Sequence, residues 1–220
     1  MNPQTPKRVL AKPLQVFSIA ILIIGVLGGS SPSNSVSAAT SVLITAREQH
    51  TATLLPNGML LIAGGVSETD ILDSTELFNP VTGTWTASGT LNQPRVGHSA
   101  TLLLDGKVLV VGGKNSTDYP TRTELYDPIS DTWTNTGKLN NSRAYHTATL
   151  LPDGKVLVTG GFNGGALNSV ELYDPASGEW KTTGSLNVAR SYFTTTLMPD
   201  GTVLAVGGID DSTPTPLPLL

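Results

Sequence analysis

The chain has 220 residues, 39% of them hydrophobic and 14% charged, and a net charge of -4. This size allows one domain with its own core, and 23 glycines with 15 prolines favour short strands and turns over helices. Cysteine is absent, which excludes a disulfide framework, a thiolate metal site and a cysteine nucleophile.

The first 38 residues contain the three segments of a secretory signal peptide in the usual order. Lys7, Arg8 and Lys12 form a basic head, residues 14–27 are almost wholly apolar, and Val36-Ser37-Ala38 supplies the small residues of a cleavage site. The apolar run is short for the ~20 residues that span a bilayer. Cleavage after Ala38 is therefore favoured over a retained anchor, and no stable membrane span is expected afterwards. The mature chain would be extracellular, periplasmic or at the cell surface.

Charge also bears on the partner. Cleavage removes three positive charges and changes the net charge from -4 to -7. An acidic surface argues against a nucleic-acid partner.

From residue 47 onward, one sequence unit recurs. An arginine opens each copy at spacings of 48, 48 and 47 residues, and a fixed period of this length indicates stacked supersecondary units. A histidine or phenylalanine and a glycine pair follow in all four copies, and a glutamate and a tryptophan follow in the first three. The recurring residues are Arg47, Arg95, Arg143 and Arg190; His50, His98, His146 and Phe193; Gly64-Gly65, Gly112-Gly113, Gly160-Gly161 and Gly207-Gly208; Glu76, Glu124 and Glu171; and Trp85, Trp133 and Trp180.

Each complete copy predicts four short antiparallel strands. In the third copy, His146–Leu151 predicts a first strand with small inward side chains, and 155–159 predicts a second strand that is apolar on both faces and so covered on both sides. A Pro-Asp-Gly turn joins them. The glycine pair after the second strand predicts a backbone position that excludes a Cβ. The third and fourth strands are predicted at Val170–Asp174 and around 180–183.

The turn between the third and fourth strands carries one departure. Asp131 stands where the other copies have glycine. We expect it in the left-handed region, which aspartate tolerates better than most residues.

The double glycine, the Glu-Leu-Tyr-Asp-Pro segment and the tryptophan seven residues after the aromatic resemble the kelch repeat. This resemblance covers Arg47 to Gly208 and implies β-propeller blades, with the first strand innermost and most often six or seven blades. The predicted fold class is all-β: kelch-type β-propeller blades that are four-stranded antiparallel meanders. Three complete blades (47–94, 95–142, 143–189) and a half blade (190–208) are expected before a Pro-rich tail at 209–220.

Three and a half blades leave the array open, because the fourth copy stops after its glycine pair. Two interpretations remain: a truncated fragment of a longer kelch protein, or two chains that meet. The apolar open blade edges also favour self-association.

The recurring polar residues favour architecture over chemistry. Three histidines could hold zinc, but equivalent positions on successive blades spread them around a ring, and Phe193 fills the fourth. Catalytic carboxylates come as a local pair, whereas these glutamates repeat at blade spacing, so each arginine is expected to meet a glutamate or a backbone carbonyl. The tryptophans are expected to pack between blades. No catalytic, cofactor-binding or metal residue is assigned, and no cofactor is expected.

Some kelch-type propellers belong to copper oxidases that resemble galactose oxidase. Their chemistry depends on a cysteine-linked tyrosine, which this chain cannot form because it lacks cysteine.

The copies differ most in the loops after the glycine pairs, at 66–74, 114–123 and 162–169. Constant strands with variable loops are a common design for binding. The predicted function is therefore non-catalytic recognition of a protein or glycan outside the cytoplasm. The alternatives are a loop-face enzyme of the hydrolase or lyase type, and a truncated product without independent function. The candidate binding residues are Asp70, Asp118, Tyr119, Arg122, Phe162 and Asn163.

Overall fold

The computed structural model describes residues 42–210 and two dipeptides, 21–22 and 37–38. The chain divides into two compact units, Met1–Ala39 and Thr40–Leu220. In the first unit, β1 (Ile21–Leu22) pairs antiparallel with β2 (Ser37–Ala38). The rest of the predicted signal peptide and the tail from residue 211 lie outside the described residues.

Within residues 42–210, the second unit has three four-stranded antiparallel sheets and one two-stranded sheet, each in sequence order from its first strand outward. The first blade comprises β3 (Thr51–Leu54), β4 (Leu60–Ala63), β5 (Thr75–Asn79) and β6 (Thr84–Ala87); the second, β7 (Ser99–Leu102), β8 (Val108–Val111), β9 (Arg122–Asp127) and β10 (Thr132–Lys138); the third, β11 (Thr147–Leu150), β12 (Val156–Thr159), β13 (Ser169–Asp174) and β14 (Glu179–Ser185); and the half blade, β15 (Thr194–Leu197) and β16 (Val203–Val206).

This architecture confirms the predicted fold class. The strands of the third copy agree with the prediction to within two residues at each end. No helix occurs among the described residues, and so none there is long and apolar enough to cross a membrane. The described sheets do not close into a ring.

The first strands β3, β7, β11 and β15 lie beside one another in succession, which places them innermost as the resemblance implied. Short threonine, serine and alanine side chains on these strands fit the crowded position near the axis. The second strand is more deeply buried: every residue of β8 is 0% exposed. A strand apolar on both faces is therefore covered on both sides, as predicted.

The hydrophobic core lies between consecutive blades. One cluster joins Leu61 of the first blade to Val108, Tyr126 and Trp133 of the second. A second cluster joins the second blade to the third, where Trp180 takes the equivalent place. Each blade buries its faces only against its neighbours, because a single sheet cannot cover them.

The glycine pairs mark the closest approach between blades. The second glycine donates its amide to the carbonyl of the next blade's arginine, from Gly65 to Arg95 at 2.8 Å and from Gly113 to Arg143 at 2.9 Å. A Cβ on Gly64 would lie 2.7 Å from the same Arg95 oxygen, a separation that side chains do not tolerate. The predicted exclusion of a Cβ is therefore confirmed at Gly64, where its cause is inter-blade contact. At Gly65 a Cβ would instead lie 2.6 Å from Glu48 O of its own blade.

Asp131, which replaces glycine in the turn between the third and fourth strands, has the predicted left-handed conformation. Asp131 has φ of 53°, beside 70° and 71° for Gly83 and Gly178 at the equivalent positions.

A buried ion pair ties each complete blade together. Arg95 Nη2 donates to Glu124 Oε1 at 2.6 Å, and both side chains are 0% exposed. Its Nη1 donates to Gly112 O at 2.8 Å. The other carboxylate oxygen of Glu124 accepts the Asn92 amide at 2.7 Å. The ion pair thus connects four parts of the blade. Arg95 precedes the first strand, Gly112 follows the second, Glu124 lies on the third, and Asn92 lies in the connection from the preceding blade.

We predict that Glu124→Gln destabilises the protein by about 3–5 kcal/mol, because it leaves the Arg95 guanidinium buried without a counter-charge. The shift of the urea unfolding midpoint measures this cost. Glu179→Gln, at an exposed position, is the control and should change stability by less than about 0.5 kcal/mol. Equal midpoints for the two variants would contradict the structural role of the pair.

Candidate functional site

One end of the sheets carries the variable loops. The first strand starts where the second strand ends, since Thr51 pairs with Ala63 and Leu54 with Leu60. The loops after the glycine pairs and the connections between blades therefore share one face of the blade array, here called the loop face. The short turns within the blades lie on the opposite face.

The three histidines do not converge on a metal. His98 Nε2 lies 3.1 Å from Thr51 Oγ1 of the preceding blade, and His146 Nε2 lies 2.8 Å from Ser99 Oγ. Each ring therefore joins adjacent inner strands. No group of three histidines or carboxylates suited to a metal occurs in the described part of the chain.

Phe193 occupies the same place without a hydrogen bond. Its ring lies against the Cβ position of Gly160, as the His98 and His146 rings lie against those of Gly64 and Gly112. The hydroxyl that a histidine would meet, Thr147 Oγ1, is buried without a hydrogen-bond partner.

The tryptophans also serve contacts between blades. Trp133 Nε1 donates to Gly89 O of the preceding blade at 3.1 Å, and Trp180 Nε1 donates to Thr123 Oγ1 at 3.3 Å. These bonds confirm the packing interpretation for both residues.

Of the six candidate residues, the structure brings two together. The rings of Tyr119 and Phe162, from the loops of different blades, lie 6.4 Å apart between centroids at 52°. Asn163 is nearby in sequence, but its side-chain amide donates to Ser142 Oγ at 2.8 Å, at the end of the preceding blade.

The remaining candidates have local roles or another location. Asp70 accepts a hydrogen bond from Thr69 at 2.6 Å, and Asp118 belongs to a turn around Asn115. Arg122 is not a loop residue as predicted: it is the first residue of β9, because it pairs with Lys138 of β10. The Arg122 side chain is exposed. The loop that was predicted to span 114–123 therefore ends at residue 121 in the structure.

A left-handed residue precedes every first strand. The residue before each histidine or Phe193 has φ between 52° and 66°. The residue before that forms an isolated bridge to the residue after the glycine pair, and the chain then turns sharply into the strand. A bulky residue with positive φ is uncommon and costs free energy. The four residues are Gln49, Gly97, Tyr145 and Tyr192.

This turn directs two tyrosines onto the loop face. The rings of Tyr145 and Tyr192 stack with centroids 4.3 Å apart at 19°, and Lys114 Nζ lies 5.9 Å from the Tyr145 ring centroid. We call the set Lys114, Tyr119, Tyr145, Phe162 and Tyr192 the aromatic patch.

Gly97 makes room for the patch. Its φ is 66°, and a Cβ there would lie 2.5 Å from Cε1 of Tyr145. The Tyr145 ring therefore lies across the backbone of the preceding blade, and the Tyr145 amide donates to Gly97 O at 2.8 Å.

Tyr145 and Tyr192 stay protonated over the physiological range. Burial, followed by the neighbouring Tyr145 phenol, raises the pKa of Tyr192 to about 12. Burial also raises the pKa of Tyr145. A protonated phenol can donate a hydrogen bond, and the two phenols here share one with each other.

Three of the five patch residues were missed by sequence reasoning. Tyr145 and Tyr192 lie inside the repeated Arg-x-x-His segment, which was interpreted as architecture, and Lys114 was treated as loop. One signal in the sequence could have found the tyrosines. The residue before each histidine or Phe193 differs between copies, although its neighbours recur, and Gly97 is one of the residues found there.

Comparison with known proteins supports the interpretation of the fold. The family model for the KLHDC2/KLHL20/DRC7 Kelch-repeats domain matches residues 31–208. No curated protein sequence matches the chain. Among solved structures, the chain is similar to YjhT, with a TM-score of 0.70 and 16% sequence identity, over 79% of this chain and 63% of YjhT. The chain thus spans less than two thirds of YjhT, and this likeness shows the fold.

We predict that the histidines make the protein sensitive to mild acid. Burial, followed by the charge of Arg95, lowers the pKa of His98 from 6.5 to about 3. Between these values the unfolded chain binds more protons, so stability falls as pH drops through 6.5 towards 3. At pH 5 the expected loss is about 2 kcal/mol for His98.

The test compares urea midpoints at pH 7.5 and pH 5 for His98→Phe, which Phe193 shows to be compatible with the fold. The variant should lose about 1 kcal/mol at pH 7.5, because Thr51 loses a partner, yet lose less than the wild type on acidification. Phe193→His should gain stability at pH 7.5 and become more acid-sensitive. Parallel pH profiles for all three proteins would contradict the assignment.

Proposed function

Because the chain belongs to the kelch-repeat family, we propose that it is a non-catalytic recognition module whose aromatic patch binds a partner protein. Kelch-repeat domains generally bind proteins, and the repeats assign the constant residues to architecture. The observation that carries the proposal is the stacked Tyr145–Tyr192 pair, joined by Lys114 and the Tyr119–Phe162 contact. None of these features repeats in every blade.

The chemistry of the patch suits a protein interface. Tyrosine offers a large apolar surface with a polar tip and few rotatable bonds, and it is enriched in interface centres. Tyr192 is 59% exposed, so one ring is available to a partner while its stacking neighbour holds it in place. The left-handed backbone at Tyr145 and Tyr192 costs free energy that packing alone does not require, since Gly97 fills the same position.

The blade architecture accounts for the ionisable groups whose pKa values burial lowers. The pKa values of His98 and His146 are lowered to about 3 by burial, and burial lowers the pKa of Arg95. These groups bond within or between blades. In the patch, Tyr145 and Tyr192 offer protonated phenols, which bind and orient rather than exchange protons.

A glycan is the second candidate partner. The Tyr192 ring is exposed, and such an apolar surface can pack against the apolar side of a sugar ring. The same patch would then be used, so one set of variants tests both.

We also propose that the chain acts outside the cytoplasm. The basic head, the apolar run at 14–27 and the small residues before Ala39 support export.

We predict that linear peptides selected from a random phage-displayed library bind the purified protein through the patch. Tyr145→Ser and Phe162→Ser should each weaken binding at least tenfold, about 1.4 kcal/mol. Gly97→Ala should do the same without removing an aromatic ring, because its Cβ displaces the Tyr145 ring. Ile129→Ser, at a 96% exposed site on the opposite face, is the control.

Biolayer interferometry on each variant, with a glycan array in parallel, separates the two partners. Saturable sugar binding that requires Tyr145 would favour the glycan. Peptide binding that survives all three patch variants, or no binding in either format, would overturn the proposal.

We predict cleavage after Ala38 when the full chain is expressed in a secretion-competent host. Mass spectrometry of the exported protein should give Ala39 as its first residue. Ala38→Arg should block cleavage, because the peptidase requires a small residue there, whereas Ser37→Arg should be tolerated. An uncleaved chain that starts at Met1 and stays in the cells would contradict export.

A further inference from the structure

The chain contains two Asn-Gly pairs, at Asn57-Gly58 and Asn163-Gly164. In such a pair the backbone nitrogen of the glycine can attack the side-chain carbon of the asparagine, because glycine has no Cβ to hinder the approach. Asparagine is accordingly counted among the thermolabile residues. Both pairs are exposed, so the local sequence predicts similar reactivity, and the hydrogen bonds around each pair distinguish them.

The first pair is held by the turn that joins β3 to β4. The Gly58 amide, which would be the attacking group, donates to Leu55 O at 2.9 Å. The side-chain oxygen of Asn57 accepts the Met59 amide at 3.0 Å. Attack would require both of these bonds to break, so this pair should react slowly in the folded protein.

The second pair lies at the tip of the third variable loop. Phe162 bridges to Ala166, and the Asn163 amide donates to Gly165 O at 2.9 Å, which leaves Gly164 alone at the tip. Within residues 42–210, the Gly164 amide has no hydrogen-bond acceptor. Its φ is 72°, and no atom lies within 4 Å of a Cβ built there. The attacking nitrogen is therefore free to move towards the Asn163 side chain.

We propose that Asn163 is a site of spontaneous deamidation. The Gly164 nitrogen forms a bond to Cγ of Asn163 and loses its proton, while the Cγ–Nδ2 bond breaks and ammonia leaves. Water then opens the resulting succinimide ring. Attack of water at Cγ gives aspartate, and attack at the backbone carbonyl carbon gives isoaspartate, in which the chain continues through the former side chain.

The modification also bears on the aromatic patch. Isoaspartate adds a methylene group to the backbone of the tip, which the bond from the Asn163 amide to Gly165 O and the bridge from Phe162 to Ala166 now close. The longer backbone cannot keep both contacts. The Phe162 ring, whose centroid lies 6.4 Å from that of Tyr119, should then shift, and binding at the patch should weaken. This consequence rests on the proposed function, whereas the deamidation does not.

The first test follows the reaction in the purified protein at mildly alkaline pH by peptide mass spectrometry. The mass gain from exchange of NH2 for OH should appear at Asn163 at least tenfold faster than at Asn57. In denaturing urea the two pairs should react at similar rates, because the turn bonds of Asn57 and Gly58 are lost. Asn163→Gln should abolish the fast reaction and leave that of Asn57 unchanged.

Equal rates at the two pairs in the folded protein would overturn the proposal. So would an unreactive Asn163 in the folded protein over a period in which the unfolded chain reacts.

The second test measures the consequence for binding. Anion exchange separates the deamidated protein, because it carries an additional negative charge. The fraction enriched in isoaspartate should bind the peptides selected on the patch at least tenfold more weakly than Asn163→Asp, which has the same charge on a normal backbone. Equal affinities would overturn the effect on the patch. If no peptide binds the unmodified protein, the proposed function fails, and the mass spectra still decide whether Asn163 deamidates.

Discussion

The buried arginine–glutamate pair is the contact on which the rest of the fold depends. In the third blade, Arg143 Nη1 bonds the carbonyls of Gly160 and Ser169, and Nη2 bonds Glu171. Glu171 in turn accepts the amides of Asn140 and Asn141. Burying two charges is costly, and the cost is offset here because nearly every polar atom of the pair has a partner. Desolvation works to raise the pKa of Glu171, but the amides and Arg143 outweigh it and the pKa is lowered.

Blade-to-blade cohesion rests on close backbone approach. The glycine pairs let the carbonyl of one arginine reach the amide of the preceding blade, as from Arg190 to Gly161 at 2.9 Å. Hydrogen bonds from histidine to a hydroxyl and from tryptophan to a carbonyl also cross the interface between adjacent blades. Because these contacts require fixed residue types, they leave little freedom at the motif positions. Variation is pronounced in the loops after the glycine pairs and at the left-handed residue before each first strand.

The proposed binding surface follows from a difference between the repeats. The aromatic patch exists where the copies differ, since Gln49, Gly97, Tyr145 and Tyr192 share a backbone conformation but not a side chain.

The sequence by itself determined the period, the four-strand unit, the turns and the structural role of the histidines, arginines and tryptophans. These depend on local propensity and on recurrence, both visible along a chain. Its candidate site was only partly right: Tyr119 and Phe162 meet, whereas Arg122 belongs to β9. Only the tertiary structure could show that Tyr145, Tyr192 and Lys114 complete the patch, or that Gly97 yields space to the Tyr145 ring. Those contacts join residues one blade apart, and the direction of each side chain is set by a left-handed turn that residue type alone does not reveal.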